Sequence, residues 1–246
     1  MNDNRKMKIE VWTDIMCPYC YIGKIHYEKA LQQFAHADEV ELEWKAFQLN
    51  PKLPDKGQGY LVKEYMVNIV GYPEEAIDSM FANIRKLADN VGVPFNLPNS
   101  VAANTRDAHR LIKLAATKGL DSMVVGKLGK AYFEEAKDYS DWELLVTIGR
   151  ESGLEEEEIR RMLESDDFTY EITQDMQEAA NLGFDTVPTF LMDRRQAIMG
   201  SEPVDLFVKV LNKAYDDWKN RTETEKEKEL EITLGKSCSA DGTCEI

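Results

Sequence analysis

The sequence predicts an α/β fold in which a small mixed unit, built from both ends of the chain, is interrupted by a long all-helical insertion. Three observations predict it. Residues 7–13 and 40–47 alternate apolar with charged or polar side chains at the period of two expected of strands. From about residue 60 to residue 182 apolar spacing changes to threes and fours, and strand signals nearly vanish. Strand-forming residues then return at Thr186 to Met192 and at Gln196 to Met199, across the turn Asp193-Arg194-Arg195.

Taken in order, Met7 to Thr13 is the first strand, and Tyr21 to Ala35 reads as a helix. Val40 to Phe47 is a second strand with one buried face. Strand, helix and strand in that order make a parallel crossover unit. Asn50 to Gly59 is rich in Pro and Gly and breaks regular structure, so a boundary falls there. Helical segments are expected near 60–69, 74–92, 100–118, 122–136, 141–152, 155–164 and 169–182. Ser140-Asp141-Trp142-Glu143 supplies a cap with an early acidic residue, and Gly119 and Gly153 close helices. A final amphipathic helix carries Val204, Phe207, Val208, Leu211, Ala214, Tyr215 and Trp218 at spacings of three and four. Lys219 to Glu231 is dominated by Lys, Glu and Thr and buries little, so it reads as a solvated extension or linker. The tail Gly235 to Cys244, small and polar apart from its two cysteines, is expected to be mobile. The expected units are 1–56 with 184–220, an insertion over 57–183, and a charged linker with a cysteine-containing tail over 221–246.

Composition narrows the function. With 45 acidic against 30 basic residues and a formal charge of −15, the chain is a poor partner for a phosphate backbone, and nucleic acid is not expected. No run is long and apolar enough to span a bilayer, so no membrane partner is expected. Met1 to Lys6 leads straight into the first strand without an apolar leader, which predicts a cytoplasmic location. In a reducing cytosol four cysteines serve catalysis or redox sensing more often than architecture. Here they form two close pairs at opposite ends of the chain.

Cys17-Pro18-Tyr19-Cys20 lies at the junction of the first strand and the first helix. Unpaired N–H groups and the positive dipole end of a helix N-terminus stabilise a thiolate over a thiol. Cys17 is therefore the expected nucleophile. Cys20, one turn on, is placed to attack a mixed disulfide formed on Cys17. Half a zinc knuckle has the same spacing, and Cys238 and Cys244 would have to complete such a four-thiolate site. Proline inside the pair and the strand before it favour the redox reading, so no metal is expected.

Strand, C-P-x-C at a helix start, strand, long helical insertion, then Val187-Pro188-Thr189-Phe190 ahead of a hairpin and a last helix resembles the DsbA-like branch of the thioredoxin superfamily. The resemblance covers nearly the whole chain. It is nearest to the cytoplasmic FrnE-like group through Asp14-Ile15-Met16-Cys17-Pro18-Tyr19-Cys20, Asn104-Thr105-Arg106-Asp107-Ala108-His109-Arg110-Leu111, and the Cys238 to Cys244 tail. The resemblance implies a thioredoxin-like fold with a large helical insertion and cytoplasmic thiol–disulfide oxidoreductase or isomerase activity on protein or small thiol substrates. It further implies a cis Pro188 facing the cysteines, with Val187 docking an extended substrate beside Pro18 and Tyr19. No cofactor is implied, although glutathione is a candidate co-substrate. Periplasmic members typically carry histidine where this chain has Tyr19. A neutral phenol holds a thiolate less strongly, so a milder oxidant is expected.

Other residues keep two readings. Asp14 is a candidate proton acceptor for Cys20 and equally a capping or loop residue. His109, between Ala108 and Leu111 in a helix, reads first as a hydrogen-bonded packing residue and second as an acid or base where the helical insertion meets the redox site. Cys238 and Cys244 form a candidate secondary redox pair, with free thiols or metal chelation as the alternatives. Tyr60, Tyr65, Met66, Tyr72, Met80 and Phe81 read either as core or as the lining of an apolar groove. Two rival functions follow: a glutathione-dependent isomerase of a small organic molecule, and a zinc-stabilised interaction module.

Overall fold

The computed structural model describes residues 6–55, 59–221 and 231–239. Strand β1 (Met7–Thr13) is buried at six of its seven residues and runs beside β2 (Val40–Ala46) in parallel, with Met7 opposite Val40 and Thr13 opposite Ala46. Helix α1 (Pro18–Leu31) makes the crossover. The hairpin expected near the C-terminus is formed by β6 (Thr189–Met192) and β7 (Gln196–Met199), and β6 lies antiparallel to β1. A last helix, α9 (Val204–Lys219), closes the unit. The sheet is therefore mixed, ordered β2-β1-β6-β7-β8, where β8 (Glu231–Leu234) is parallel to β7.

From Val62 to Asn181 the chain is mainly helical, as its spacing predicts. It contains α2 (Val62–Glu64), which passes into a π-helical turn over Tyr65–Val70, then α3 (Glu74–Val91), α4 (Arg106–Ala116) and α5 (Asp121–Gly129). α6 (Trp142–Glu151), α7 (Glu156–Glu164) and α8 (Thr169–Asn181) follow. Asp141 caps α6 by accepting the Glu143 N–H at 3.0 Å, which satisfies one of the orphan donors at the helix start.

Two expectations over this stretch are corrected. Tyr60–Leu61 and Val101–Ala102 form a short antiparallel ribbon, β3 with β4, instead of the first turns of two helices. The segment read as a helix from residue 100 begins at Arg106, because the Asn104 side chain bonds the Pro51 and Leu53 carbonyls and the Arg106 N–H. Those local bonds offer the backbone an alternative to the helix. A third correction concerns the tail. Of the tail expected to be mobile, Gly235 to Cys244, the described residues 235–239 follow β8 and include a further strand β9 (Cys238–Ser239) paired with β5 (Thr186–Val187). Pairing at a sheet edge is made by backbone groups, which composition does not reveal.

The two faces of the sheet are covered differently. On one, Tyr27 of α1 and Phe207 of α9 pack with Phe190 of β6, the Phe190–Phe207 rings meeting edge-on at 4.8 Å. On the other, Trp12 meets Phe184 edge-on and donates its indole N–H to the Asp175 carbonyl of α8 at 2.9 Å. The Asp175 carboxylate accepts the Ala46 N–H at 2.7 Å and pairs with Lys45 and Lys113 at 3.4 and 2.5 Å. One buried acid thus ties α8 and α4 to the strand that borders β1. Asp175→Ala strands the buried Ala46 N–H and takes one carboxylate from Lys45, which keeps Glu43 and Glu178, and from Lys113, which keeps the Trp44 carbonyl. It is expected to cost about 2–4 kcal/mol in urea unfolding, and a loss below about 0.5 kcal/mol would show the clamp to be dispensable.

Candidate active site

The register Trp12↔Thr189 brings the end of β1 beside the start of β6. The residues just beyond each strand, Asp14 to Cys17 on one side and Val187-Pro188 on the other, therefore converge. Cys17 is the N-cap of α1, with extended backbone (φ −84°, ψ 115°) and Pro18 at the first helical position, where a missing N–H costs nothing. Its carbonyl accepts the Cys20 N–H at 3.1 Å, closing the first turn and setting the two thiols on one end of the helix. Both cysteines are free and buried.

Across from them the Val187–Pro188 peptide bond is cis. Cys17 Sγ–H donates to the Val187 carbonyl at 3.6 Å. Gly23 lets α1 lie this close: a Cβ there would stand 3.1 Å from Pro188 Cγ. Pro18, Tyr19 and Val187 are buried around the pair. The structure thus brings together Cys17, Cys20, Pro18, Tyr19, Val187 and Pro188.

Asp14 belongs to the same cluster. Its backbone N–H donates to Cys20 Sγ at 3.5 Å, and its carboxylate is fully buried. One carboxylate oxygen accepts the Leu49 N–H at 2.7 Å, and the other lies 3.3 Å from His109 Nε2. His109, read from the sequence first as a hydrogen-bonded packing residue, is buried and makes its contact from the helical insertion to the cysteine loop. The signal for it was the Asn104 to Leu111 block itself. Asn104 accepts from Gln48 at 2.8 Å and holds the 50–54 loop, His109 reaches Asp14, and Arg110 bonds the Met162, Ser165 and Asp167 carbonyls. These three residues of the block each have their own fastening.

Beside the cysteines, Met16, Pro18, Leu49, Tyr65, Met66 and Met80 line an apolar pocket that Cys238 closes. Of the six aromatic and methionine residues considered for such a groove, Tyr65, Met66 and Met80 line it, Phe81 is in the core, Tyr72 is half-buried against the core, and Tyr60 is exposed. Cys238 is disulfide-bonded, and its backbone pairs with Val187. Cys244 lies outside the described residues. Among the described residues no group of three or more His, Cys, Asp or Glu gathers as metal ligands would, and no helix is long and apolar enough to cross a membrane.

The model of the DSBA-like thioredoxin domain matches residues 8–212. This chain belongs to that family. The DsbA-like chain is 26% identical over 211 residues to the uncharacterized protein YwbO of Bacillus subtilis, covering 83% of this chain and 95% of that one. A probable DsbA oxidoreductase from Streptomyces coelicolor superposes with a TM-score of 0.80 at 30% identity, over 98% of this chain and 99% of the other. The cytosolic disulfide reductase DsbM of Pseudomonas aeruginosa, solved with GSH, shares the fold at a TM-score of 0.59 and 15% identity, over 85% and 99% of the two chains. The fold of the DsbA-like protein is accordingly thioredoxin-like, with a helical insertion.

Burial pushes the Cys20 thiol well above its ordinary value, and the adjoining Cys17 adds to the shift. A group whose folded-state pKa is raised contributes full stability below its unfolded value and loses it as the pH climbs past that value. In Cys17→Ser, which leaves Cys20 alone in its burial, stability is expected to fall above about pH 8.5 by up to about 1.4 kcal/mol per pH unit relative to Cys17→Ser/Cys20→Ser. Superimposable urea-stability profiles of the two variants from pH 7 to 10 would refute the shift.

Proposed function

We propose that this DsbA-like protein is a cytoplasmic, FrnE-like thiol–disulfide oxidoreductase or isomerase in which Cys17 attacks and Cys20 resolves. The observation that carries the reading is the free Cys17 thiol at the start of α1, 3.6 Å from the carbonyl of Val187 and next to cis Pro188. A substrate strand lying along Val187 would present its sulfur to Cys17. The Cys17 thiolate attacks one substrate sulfur, the substrate S–S bond breaks, and the departing sulfur leaves as a thiolate. Cys20 then gives up its proton and attacks Cys17 Sγ. This releases the second substrate thiol and leaves a Cys17–Cys20 disulfide, two electrons having passed to the substrate. Run backwards, the same steps oxidise a dithiol.

Each remaining residue has a role in this scheme. Pro18, Tyr19, Val187 and Pro188 form the substrate seat. Asp14 accepts the Cys20 proton; it shares a small pocket with Cys20 and Lys24, and the high pKa of Cys20 is the reason a base is required. Cys238 and Cys244 act as a secondary redox pair, supported by the disulfide on Cys238 and by its place against Val187. No metal or organic cofactor is needed. The GSH in the DsbM structure makes glutathione a candidate co-substrate.

Equilibration in glutathione redox buffers tests the proposal. A reversible two-electron couple is expected that disappears in Cys17→Ser, with zinc content recorded alongside. Stoichiometric zinc on the thiols would favour an interaction module, and a glutathione complex without a couple would favour an isomerase of a small organic molecule. For the acceptor, Asp14→Asn is expected to slow release of a mixed disulfide trapped on Cys17 by about 10²-fold near neutral pH, with the deficit shrinking as pH rises. An unchanged release rate at pH 7 would remove Asp14 from the mechanism.

A further inference from the structure

The seat proposed for an external substrate strand is taken. β9 lies antiparallel to β5, with Cys238 opposite Val187 and Ser239 opposite Thr186. Cys17, bonded to the Val187 carbonyl, has 0% exposed surface with this strand in place, and Cys238 joins Met16 and Pro18 in the wall of the apolar pocket. A nucleophile without exposed surface does not meet a disulfide from solution. We propose that the C-terminal strand is a resident occupant of the substrate seat, a gate that must leave before Cys17 reaches an external substrate. This rests on the oxidoreductase reading only in calling the seat a substrate site.

The occupant is held by fittings specific to it. The Gly235 N–H donates to the Met199 carbonyl, and the Ser201 N–H donates to the Lys236 carbonyl at 3.0 Å. The two segments cross where neither has a side chain: a Cβ on Gly200 would fall on the Gly235 carbonyl group, and one on Gly235 would fall on the Glu202 carboxylate. From this crossing the chain runs to Ser237 and Cys238, which are 7% and 0% exposed. The approach to the seat is loosely attached, however. β8 is an edge strand, and its Ile232 and Leu234 are 49% and 74% exposed. Among the described residues 231–239, Cys238 is the buried apolar side chain while Ile232 and Leu234 face solvent, so opening is a local event that leaves the rest of the sheet paired.

The occupant also indicates what the seat accepts. It is an extended backbone carrying a disulfide-bonded cysteine between two serines, Ser237 and Ser239, joined to β5 by main-chain pairing. Main-chain pairing selects for an extended strand and leaves side-chain identity open. The matching external substrate is a disulfide in an extended polypeptide segment with small polar neighbours. Such a substrate competes with the tail, and its apparent dissociation constant is its intrinsic one divided by the fraction of molecules with the tail undocked.

Two variants are designed to empty the seat by different means. Ser237→Asp/Cys238→Asp buries two carboxylates where the native residues have almost no exposure, and Gly200→Ala places a methyl group in the path of Gly235 while keeping both cysteine pairs. Each is checked for wild-type circular dichroism. With Cys17 and Cys20 reduced, the rate of iodoacetamide alkylation at Cys17, followed by peptide mass spectrometry, is expected to rise at least tenfold in the variants. The KM for a cystine-containing peptide of extended conformation is expected to fall with the same order. Wild-type alkylation rates in both folded variants would overturn the gate. Faster alkylation with no exchange in any version would leave the gate standing and remove the oxidoreductase reading, so the two failures are distinct.

Discussion

The pairing register of β1 is the constraint on which the site depends. With Trp12 opposite Lys45 on one side and Thr189 on the other, the chain leaves β1 at the point where the Val187-Pro188 turn enters β6. Two segments separated by some 170 positions are then adjacent, and the Cys17 Sγ to Val187 carbonyl contact follows. A slip of one residue would turn Trp12 toward α1 and α9 and carry Val11 to the other face. The packing of Trp12 on Phe184 and α8, and of Phe190 between Tyr27 and Phe207, opposes such a slip from both faces.

The helical insertion is fastened to that frame by polar contacts at specific places. Asp175 binds the β2 backbone and two lysines, Asn104 holds the loop that follows β2, and His109 meets the Asp14 carboxylate under Cys20. Buried polar groups are costly unless paired, so each contact specifies one arrangement of helices over the sheet. The insertion therefore bears directly on the cysteine loop.

The C-terminal strand uses the same backbone grammar as the rest of the sheet. β8 extends β7, and β9 lines up with β5 through main-chain groups, so a segment with little apolar content still finds an ordered position. This explains how a largely polar segment brings the disulfide-bonded Cys238 to a buried site.

Much of this protein was legible in its sequence because the signals were local. The alternation in Met7 to Thr13, the threes and fours of the insertion, the Asp141 cap, and the two thiols at a strand-to-helix junction each depend on neighbouring residues, and each is reproduced in the structure. A resemblance carried by the order of the elements, with C-P-x-C at a helix start and Val187-Pro188-Thr189-Phe190 ahead of a hairpin, also pointed to the DsbA-like family. Other features depended on groups far apart in the chain. Neither the partner of His109, the ribbon between Tyr60 and Ala102, nor the seat of Cys238 on Val187 follows from periodicity or composition. Periodicity reports which face of an element is buried. Backbone pairing at a sheet edge and the meeting of two buried polar side chains are decided only when the elements pack, since the same donors and acceptors would have been satisfied equally well by water.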